Sequence, residues 1–359
     1  MRILFTIGNL DSGGAEKVVA TLANSFAKDG FDVGILLVST SEKETFFHLN
    51  EKISVIPLLD SSKKVSIKKK TKLLAAKIKS FNPDIVISFL NYVIFYTYFA
   101  LRKLKKDKGI KFIVSERNNP KAVPESWLLR RLRNHIFKKA DGCVFQTKEA
   151  QSYFKKIKKG LVIPNPVFLN NKSIFDYKND ERKQTILMVG SDKPEKNRSM
   201  AFKAFALFKK THPKHELVIV GSASNAKELD LLDELNIENS VRFVGKSNNW
   251  HEKFSSSEMF ILTSDFEGMP NALLEACALQ IPCISTNCPS GGPKEILNDG
   301  KNGVLVNVGD YNSLAMEMSK LADSKQARDE LSLKNKKTKI KYSSELIANK
   351  WIDFIKSLL

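Results

Sequence analysis

The stretch Met259-Phe-Ile-Leu-Thr-Ser-Asp-Phe-Glu-Gly-Met-Pro-Asn-Ala-Leu-Leu-Glu-Ala-Cys-Ala-Leu279 reads as a strand, a loop and a helix in direct succession. Met259–Leu262 is a short apolar run, and Pro270 suits the first turn of a helix, where its missing N–H costs nothing. From Ala272 to Leu279 every residue except Glu275 is apolar, so this helix is expected to be buried nearly all round. A lone carboxylate in such a helix is expensive unless something hydrogen-bonds to it. Asn271 and Glu275, four apart, share a face, and Glu267 stands just before the helix. A buried acceptor at the end of a strand suits the vicinal hydroxyls of a ribose. The alternative, Glu275 capping a neighbouring backbone, stays open at this point.

The same alternation extends in both directions. Arg2–Ile7, Asp32–Val38, Ile85–Leu90, Lys111–Val114, Gly142–Gln146 and Gly160–Ile163 read as strands, with helices near 15–28, 66–80, 92–106, 126–138 and 147–156. The pattern then restarts. Thr185–Val189, Glu216–Val220, Val241–Val244, Met259–Leu262 and Cys283–Ser285 read as strands, with helices near 198–210, 226–235, 270–279 and 312–322. Strands alternating with helices imply parallel sheets covered on both faces, and two series imply two doubly wound α/β domains. The expected division is 1–168, a polar linker 169–183 after Pro164-Asn-Pro166, a second domain 184–340, and a C-terminal segment 341–359. That last segment carries Trp351, Ile352, Phe354, Ile355 and Leu358 on a helical period and is expected to pack back on the body.

Such sheets bind ligands beyond the carboxyl ends of their strands, so the loops that follow strands are the places to search. Gly8-Asn-Leu-Asp-Ser-Gly-Gly-Ala-Glu16 opens a helix, and Gly13 and Gly14 permit close approach of an anion to free N–H groups. The spacing is not G-x-G-x-x-G, which argues against a nicotinamide dinucleotide site; a tight structural turn is the other reading. Gly190-Ser-Asp-Lys-Pro-Glu-Lys-Asn-Arg198 places Lys193, Lys196 and Arg198 near a helix start, where a diphosphate could lie; a solvated charged turn is the other reading. Cys288-Pro-Ser-Gly-Gly-Pro-Lys-Glu295 opens another helix and offers N–H donors to a sugar or phosphate.

Composition narrows the partners. The chain of 359 residues carries a formal charge of +19, with 33 Lys and Arg against 16 Asp and Glu in residues 1–180 and 25 against 23 in the rest. A basic first half points to a localised anionic partner, not to a chain coated in nucleic acid. Four scattered cysteines match neither a disulfide framework nor a zinc site, which suggests a reducing cytoplasm. The N-terminus reads as no secretion signal. Ile85–Leu101 carries no charge, yet it is short for a span of about 20 residues and reads as a buried strand and helix.

These motifs resemble the GT-B-fold, family-4 retaining glycosyltransferases. The resemblance rests on Ser12-Gly-Gly-Ala-Glu16, Ile163-Pro-Asn-Pro166, Glu195-Lys-Asn197 and, most specifically, Glu267-Gly-Met-Pro-Asn-Ala-Leu-Leu-Glu275. It implies two Rossmann-like domains facing a central cleft. Glu275 would hold the donor ribose, Glu267 would lie beside the transferred sugar, and Lys196 would neutralise the diphosphate. Gly13 and Gly14 would approach the donor, with Gly190, Ser191, Lys193, Gly245, Gly268, Met269, Pro270, Asn271 and Ala272 lining its site. Ser191 stands where the family usually has Arg, and Lys193 can replace that charge only as a point charge. Arg117 stands where the family commonly has His, on the acceptor or sugar side.

The resemblance implies metal-independent transfer of a hexose or N-acetylhexosamine from a nucleotide sugar, UDP-linked by preference, with no cofactor. The acceptor would be a lipid-diphosphate-linked saccharide or a growing glycan, as in bacterial cell-surface polysaccharide synthesis. A non-catalytic nucleotide-sugar-binding protein is the alternative. Two basic segments, 66–81 and 127–139, suggest docking on the anionic inner face of the cell membrane, with ordinary basic helices packed on the sheet as the other reading. In the second, Leu128, Leu129, Leu132 and Ile136 are expected on one face, ringed by Arg130, Arg131, Arg133, Lys138 and Lys139. Glu275→Ala is expected to abolish most activity with little change in melting temperature.

Overall fold

A computed structural model describes residues 1–40, 45–59, 65–104, 109–167, 169, 181–247 and 249–359. It divides into two compact units, Met1–Pro166 with Ser344–Leu359, and Val167–Ser343. Most of the expected linker 169–183 lies outside the described residues.

The first unit is a seven-stranded parallel sheet. Its spatial order is β3 (Ser54–Pro57), β2 (Asp32–Leu37), β1 (Arg2–Ile7), β4 (Ile85–Phe89), β5 (Lys111–Ser115), β6 (Gly142–Phe145) and β7 (Gly160–Val162). Alternate residues of β1 face opposite ways, as the two-residue period of a strand requires. Ile3, Phe5 and Ile7 meet Val18, Leu22 and Phe26 of α1 (Gly14–Lys28) and Trp351 and Ile355 of the C-terminal helix α14 (Ser344–Lys356). Leu4 faces the opposite layer, built from α2 (Ile67–Phe81), α3 (Asn91–Leu104) and α4 (Trp127–Lys139). A short α5 (Lys148–Tyr153) follows β6.

The uncharged stretch 85–101 is β4 running into α3. Its buried hydroxyls are satisfied internally: Thr6 Oγ1 donates to Ser88 Oγ at 2.8 Å and lies 3.1 Å from Thr97 Oγ1, all three side chains being fully buried. Among the described residues, no helix is long and apolar enough to cross a membrane.

The second unit is a six-stranded parallel sheet. Its order is β10 (Val241–Gly245), β9 (Glu216–Gly221), β8 (Lys183–Gly190), β11 (Ser257–Leu262), β12 (Cys283–Thr286) and β13 (Val304–Val306). Phe202, Phe205 and Phe208 of α6 (Arg198–Lys209), Leu232 of α7 (Ala226–Glu234) and Leu314 and Met318 of α11 (Tyr311–Asp323) cover one face. Trp250 and Phe254 of α8 (Trp250–Phe254) and Leu273, Leu274 and Cys277 of α9 (Asn271–Ala278) cover the other, joined by Ile296 of α10 (Gly292–Ile296). Helices α12 (Lys325–Lys334) and α13 (Thr338–Lys341) precede the return of the chain into α14.

Among the elements that escaped the sequence pattern, three did so for plain physical reasons. Strand β3 is a four-residue edge strand ending in proline, and β13 is a three-residue edge strand, so neither has the length to show a period. Helix α12 is mostly polar, with Ser332 as its one buried residue, so it has no apolar stripe. Pro270 sits one residue outside α9 as its N-cap and not within its first turn.

Both sheets share one topology. The chain runs outward from a central strand, then returns to that strand's other side, so β1 and β4 in one unit and β8 and β11 in the other flank a switch point. Loops at such points diverge and leave room for a ligand.

Candidate active site

At the β8/β11 switch point two of the sequence-derived residues, Lys196 and Glu267, meet. The turn after β8 is a short 3-10 segment, Pro194–Lys196, and it brings the Lys196 ammonium to Glu267 Oε1, 2.5 Å away. The pair is largely screened from water, with 23% and 12% of the two side chains exposed. Ser264 Oγ donates to the same carboxylate oxygen at 2.8 Å. Backbone bonds fix the frame: Asp265 N donates to Glu195 O at 2.9 Å, and Thr263 Oγ1 to Lys196 O at 3.0 Å. Asn197, in the left-handed region at φ 47°, donates to Asp265 Oδ1 at 2.7 Å and caps α6. A half-buried ammonium held by a carboxylate is a cation that an incoming diphosphate can recruit.

The loop after β12 locks the other side of Glu267. Its backbone N–H donates to Pro289 O at 2.8 Å, and its carbonyl accepts from Ser290 N at 3.0 Å and from Ser290 Oγ at 3.1 Å. Gly292 makes this approach possible, because a Cβ there would stand 1.9 Å from Gly268 O. Gly268, Met269 and Pro270 are buried along this seam, and Asn271 and Ala272 are half-buried at the start of α9. The Met269 side chain belongs to the core under the sheet, so only its backbone faces the loop region.

Glu275 lies one turn into α9 and is 3% exposed. Its Oε2 meets Nε2 of His251, on α8, at 2.9 Å. His251 is itself buried, beside Trp250. Truncating Glu275 would orphan a buried imidazole, so the melting temperature of Glu275→Ala is the measurement that tests the expectation of little change.

Around this centre, Gly190 closes β8, Ser191 is half-buried and Lys193 is exposed. Gly245 ends β10 at φ +77°. Arg198 is not one of the phosphate-facing cations. It is 4% exposed, and its guanidinium donates to Gly190 O at 2.9 Å and Ser222 O at 3.1 Å and pairs with Glu228 at 3.3 Å. It ties the loops after β8 and β9 together.

In the first unit, the loop after β1 holds Gly13 and Gly14 at the start of α1, with Glu16 folded against Gly13. The Tyr92 hydroxyl, from the far side of the switch point, lies against Gly8 and hydrogen-bonds Ser39. Beyond β5, Arg117 Nη1 donates to Asn165 Oδ1 at 2.7 Å, and Gln146 Nε2 donates to the same oxygen at 2.8 Å. The Arg117 guanidinium lies 4.5 Å from the ring centre of Phe89 and 5.7 Å from that of Trp351. Burial lowers Arg117 to about 9, with Glu116 opposing. Glu116 is pushed up to about 7 by burial, opposed by the Arg133 charge and by the N–H groups of Asn118 and Arg117.

Arg133 corrects a second expectation. It is fully buried, 3.5 Å from Glu116, and its Nη2 donates to Pro120 O at 2.9 Å. Ile136 is likewise buried against the sheet. Only the first turn of α4 presents apolar side chains outward: Trp127, Leu128 and Leu129 are 58%, 59% and 43% exposed.

Among the described residues, no group of three or more His, Cys, Asp and Glu side chains is placed to hold a metal ion. The site residues that sequence reading missed are His251, Ser264, Ser290, Tyr92, Gln146 and Asn165. Ser264, Ser290 and Asn165 lie inside motifs already singled out and were within reach of motif reasoning; His251, Tyr92 and Gln146 were not.

Two doubly wound parallel-sheet units, each with its own switch point, define a GT-B framework. Solved structures share it along the whole chain. Sucrose-phosphate synthase from Thermosynechococcus elongatus has a TM-score of 0.82 at 17% identity, covering 100% of this chain and 99% of that one. Anabaena HepE, solved with UDP and glucose, has a TM-score of 0.79 at 16% identity, covering 99% and 100%. The Glycosyltransferase Family 4 model matches residues 12–170, and the Glycosyl transferases group 1 model matches residues 170–338.

A glycosyltransferase of Methanocaldococcus jannaschii is 30% identical over 71% of this chain and 67% of its own. A Campylobacter jejuni enzyme is 28% identical over 99% and 98%; it is an α-1,4-N-acetyl-D-galactosaminyltransferase acting on a diphospho-undecaprenol-linked saccharide. The chain belongs to the family-4 glycosyltransferases of GT-B fold and is a glycosyltransferase.

Proposed function

We propose that the protein transfers a hexose or N-acetylhexosamine, with retention, from a UDP-sugar to a lipid-diphosphate-linked or polysaccharide acceptor. The observations that carry the donor side are the Lys196–Glu267 pair at the β8/β11 switch point and the buried carboxylate of Glu275 on the helix that follows β11. Lys196 leaves Glu267 for the donor diphosphate and offsets the charge that develops as the sugar–phosphate bond breaks. Glu267, released from the lysine and still held by Ser264, positions the sugar. Glu275 accepts hydrogen bonds from the ribose. Backbone N–H groups at the start of α9 favour negative charge nearby, and no metal ion or cofactor takes part. Retention places acceptor attack on the face of the departing diphosphate, whose oxygen helps to take the acceptor proton.

The lipid-linked acceptor follows from the Campylobacter relative and from the basic first unit. On α2, Lys68, Lys69 and Lys72 are exposed beside an Ile67 that is 68% exposed. On α4, Arg131 lies over the Trp127 ring at 5.6 Å, next to the exposed Leu128 and Leu129. Apolar tips ringed by cations suit the surface of an anionic membrane. Arg117 belongs to the acceptor or sugar side in this reading.

Screening UDP-, GDP- and ADP-sugars for release of the nucleotide tests the donor assignment, with UDP-N-acetylhexosamines expected to turn over. Tight nucleotide binding without any turnover would instead favour the non-catalytic reading that Ser191, in place of the family's arginine, raises. Vesicle flotation tests the surface: recovery is expected with phosphatidylglycerol vesicles and not with phosphatidylcholine alone, and equal recovery would remove it.

A further inference from the structure

The buried carboxylate of Glu275 does not stand alone. Its Oε2 meets the Nε2 of His251 at 2.9 Å, and neither residue is more than 8% exposed. The two come from different elements. Glu275 is on α9, the helix after β11, while His251 is on α8, the short helix after β10. Helix α8 is held by Trp250 and Phe254 in the same core as Leu273 and Leu274 of α9. The Trp250 ring also lies 4.3 Å from the imidazole, centre to centre. The imidazole is therefore packed from one side and hydrogen-bonded at its tip.

We propose that His251 is a positioning residue for the nucleotide, acting through Glu275; this rests on the donor-site reading above. A glutamate has three rotatable side-chain bonds, and freezing them costs free energy that a weakly bound ligand would otherwise have to supply. An imidazole N–H fixed in the core holds one carboxylate oxygen, and so sets the plane in which the carboxylate meets the ribose hydroxyls. Binding then costs less ordering. The chemistry at the diphosphate, some residues away at Lys196, does not pass through His251. The effect of its loss should fall on nucleotide affinity and KM, with kcat spared.

Three variants separate positioning from packing. His251→Gln keeps an N–H donor near the Nε2 position, His251→Asn is polar but too short to reach Glu275, and His251→Phe keeps the ring without a donor. UDP dissociation constants, KM and kcat for the turned-over UDP-sugar, and melting temperatures are measured for each, below the lowest melting temperature. The Phe and Asn variants are expected to bind UDP about 10- to 100-fold more weakly, the range of one hydrogen bond to a charged group. Their kcat should stay within about threefold, and the Gln variant should recover most of the affinity.

If His251→Phe fails to fold, the Gln and Asn pair still decides. Equal affinity in Asn, Gln and wild type overturns the proposal, as does a loss of affinity that Gln does not rescue. Wild-type protein that binds none of UDP, GDP and ADP removes the donor-site reading and the proposal with it. Wild-type binding matched by the Asn variant removes the proposal alone.

Discussion

The two sheets have the same switch-point topology but furnish it in opposite ways. At the second unit's strand ends, Lys196, Glu267 and Glu275 are drawn from two contiguous motifs and are braced by short loops after β8, β11 and β12. At the first unit's strand ends the polar groups come from scattered positions. Arg117, Gln146 and Asn165 follow three different strands, and the buried Arg133–Glu116 pair props the Arg117 loop from below. In the proposed reading, one sheet presents a fixed set for a constant ligand part, a nucleoside diphosphate. The other presents a surface that can vary with its ligand. The same backbone plan therefore serves recognition that is shared and recognition that is particular.

Substitutions can break this contrast or sharpen it. The largest effect is expected at Arg133. Arg133→Ala removes the cation from a fully buried pair and leaves Glu116 without it, a loss of about 3–5 kcal/mol. A denaturant titration checks this, and a change below about 1 kcal/mol would return Arg133 to the surface role first expected of it. Lys196→Ala comes next. It removes a cation that is a quarter exposed and held by Glu267, so turnover is expected to fall about 100-fold with little change in melting temperature. A steady-state assay with the preferred donor measures it, and unchanged turnover would detach the second unit's cluster from catalysis.

The remaining effect is a pH slope in the first unit. Glu116 holds its proton more tightly in the folded chain, at about 7 against an ordinary 4.5. The folded state thus binds more protons than the unfolded one between those values, and wild-type stability should decline as pH rises from about 4.5 to 7. Glu116→Gln should flatten that slope. Melting curves across the interval compare the two, and parallel profiles would mean that Arg133 keeps Glu116 ionised throughout.

Motif reasoning reached the second unit's site because its chemistry is local in the chain. Glu267 and Glu275 share one loop–helix stretch, and Lys196 sits in one turn. The same reasoning placed Arg198 with the phosphate cations, since a charged residue at a helix start looks alike whether it faces solvent or carbonyls. Its four oxygen partners lie 8 to 30 residues away, and nothing in the local pattern marks them. Arg133 misled similarly. A helix with cations on several sides reads as a surface helix until a carboxylate from the loop after β5 reaches one of them.

What the residues alone determined is the alternation of short apolar runs with helical segments, its restart near residue 184, and the helix around Glu275. These follow from periods of two and 3.6, which need only neighbours in the chain. What required the folded molecule is the partner of each buried charge: His251 for Glu275, Glu116 for Arg133, carbonyl oxygens for Arg198. A charge can be buried only where distant segments converge to replace its water, and that convergence is a property of the packed sheets and not of any window of sequence.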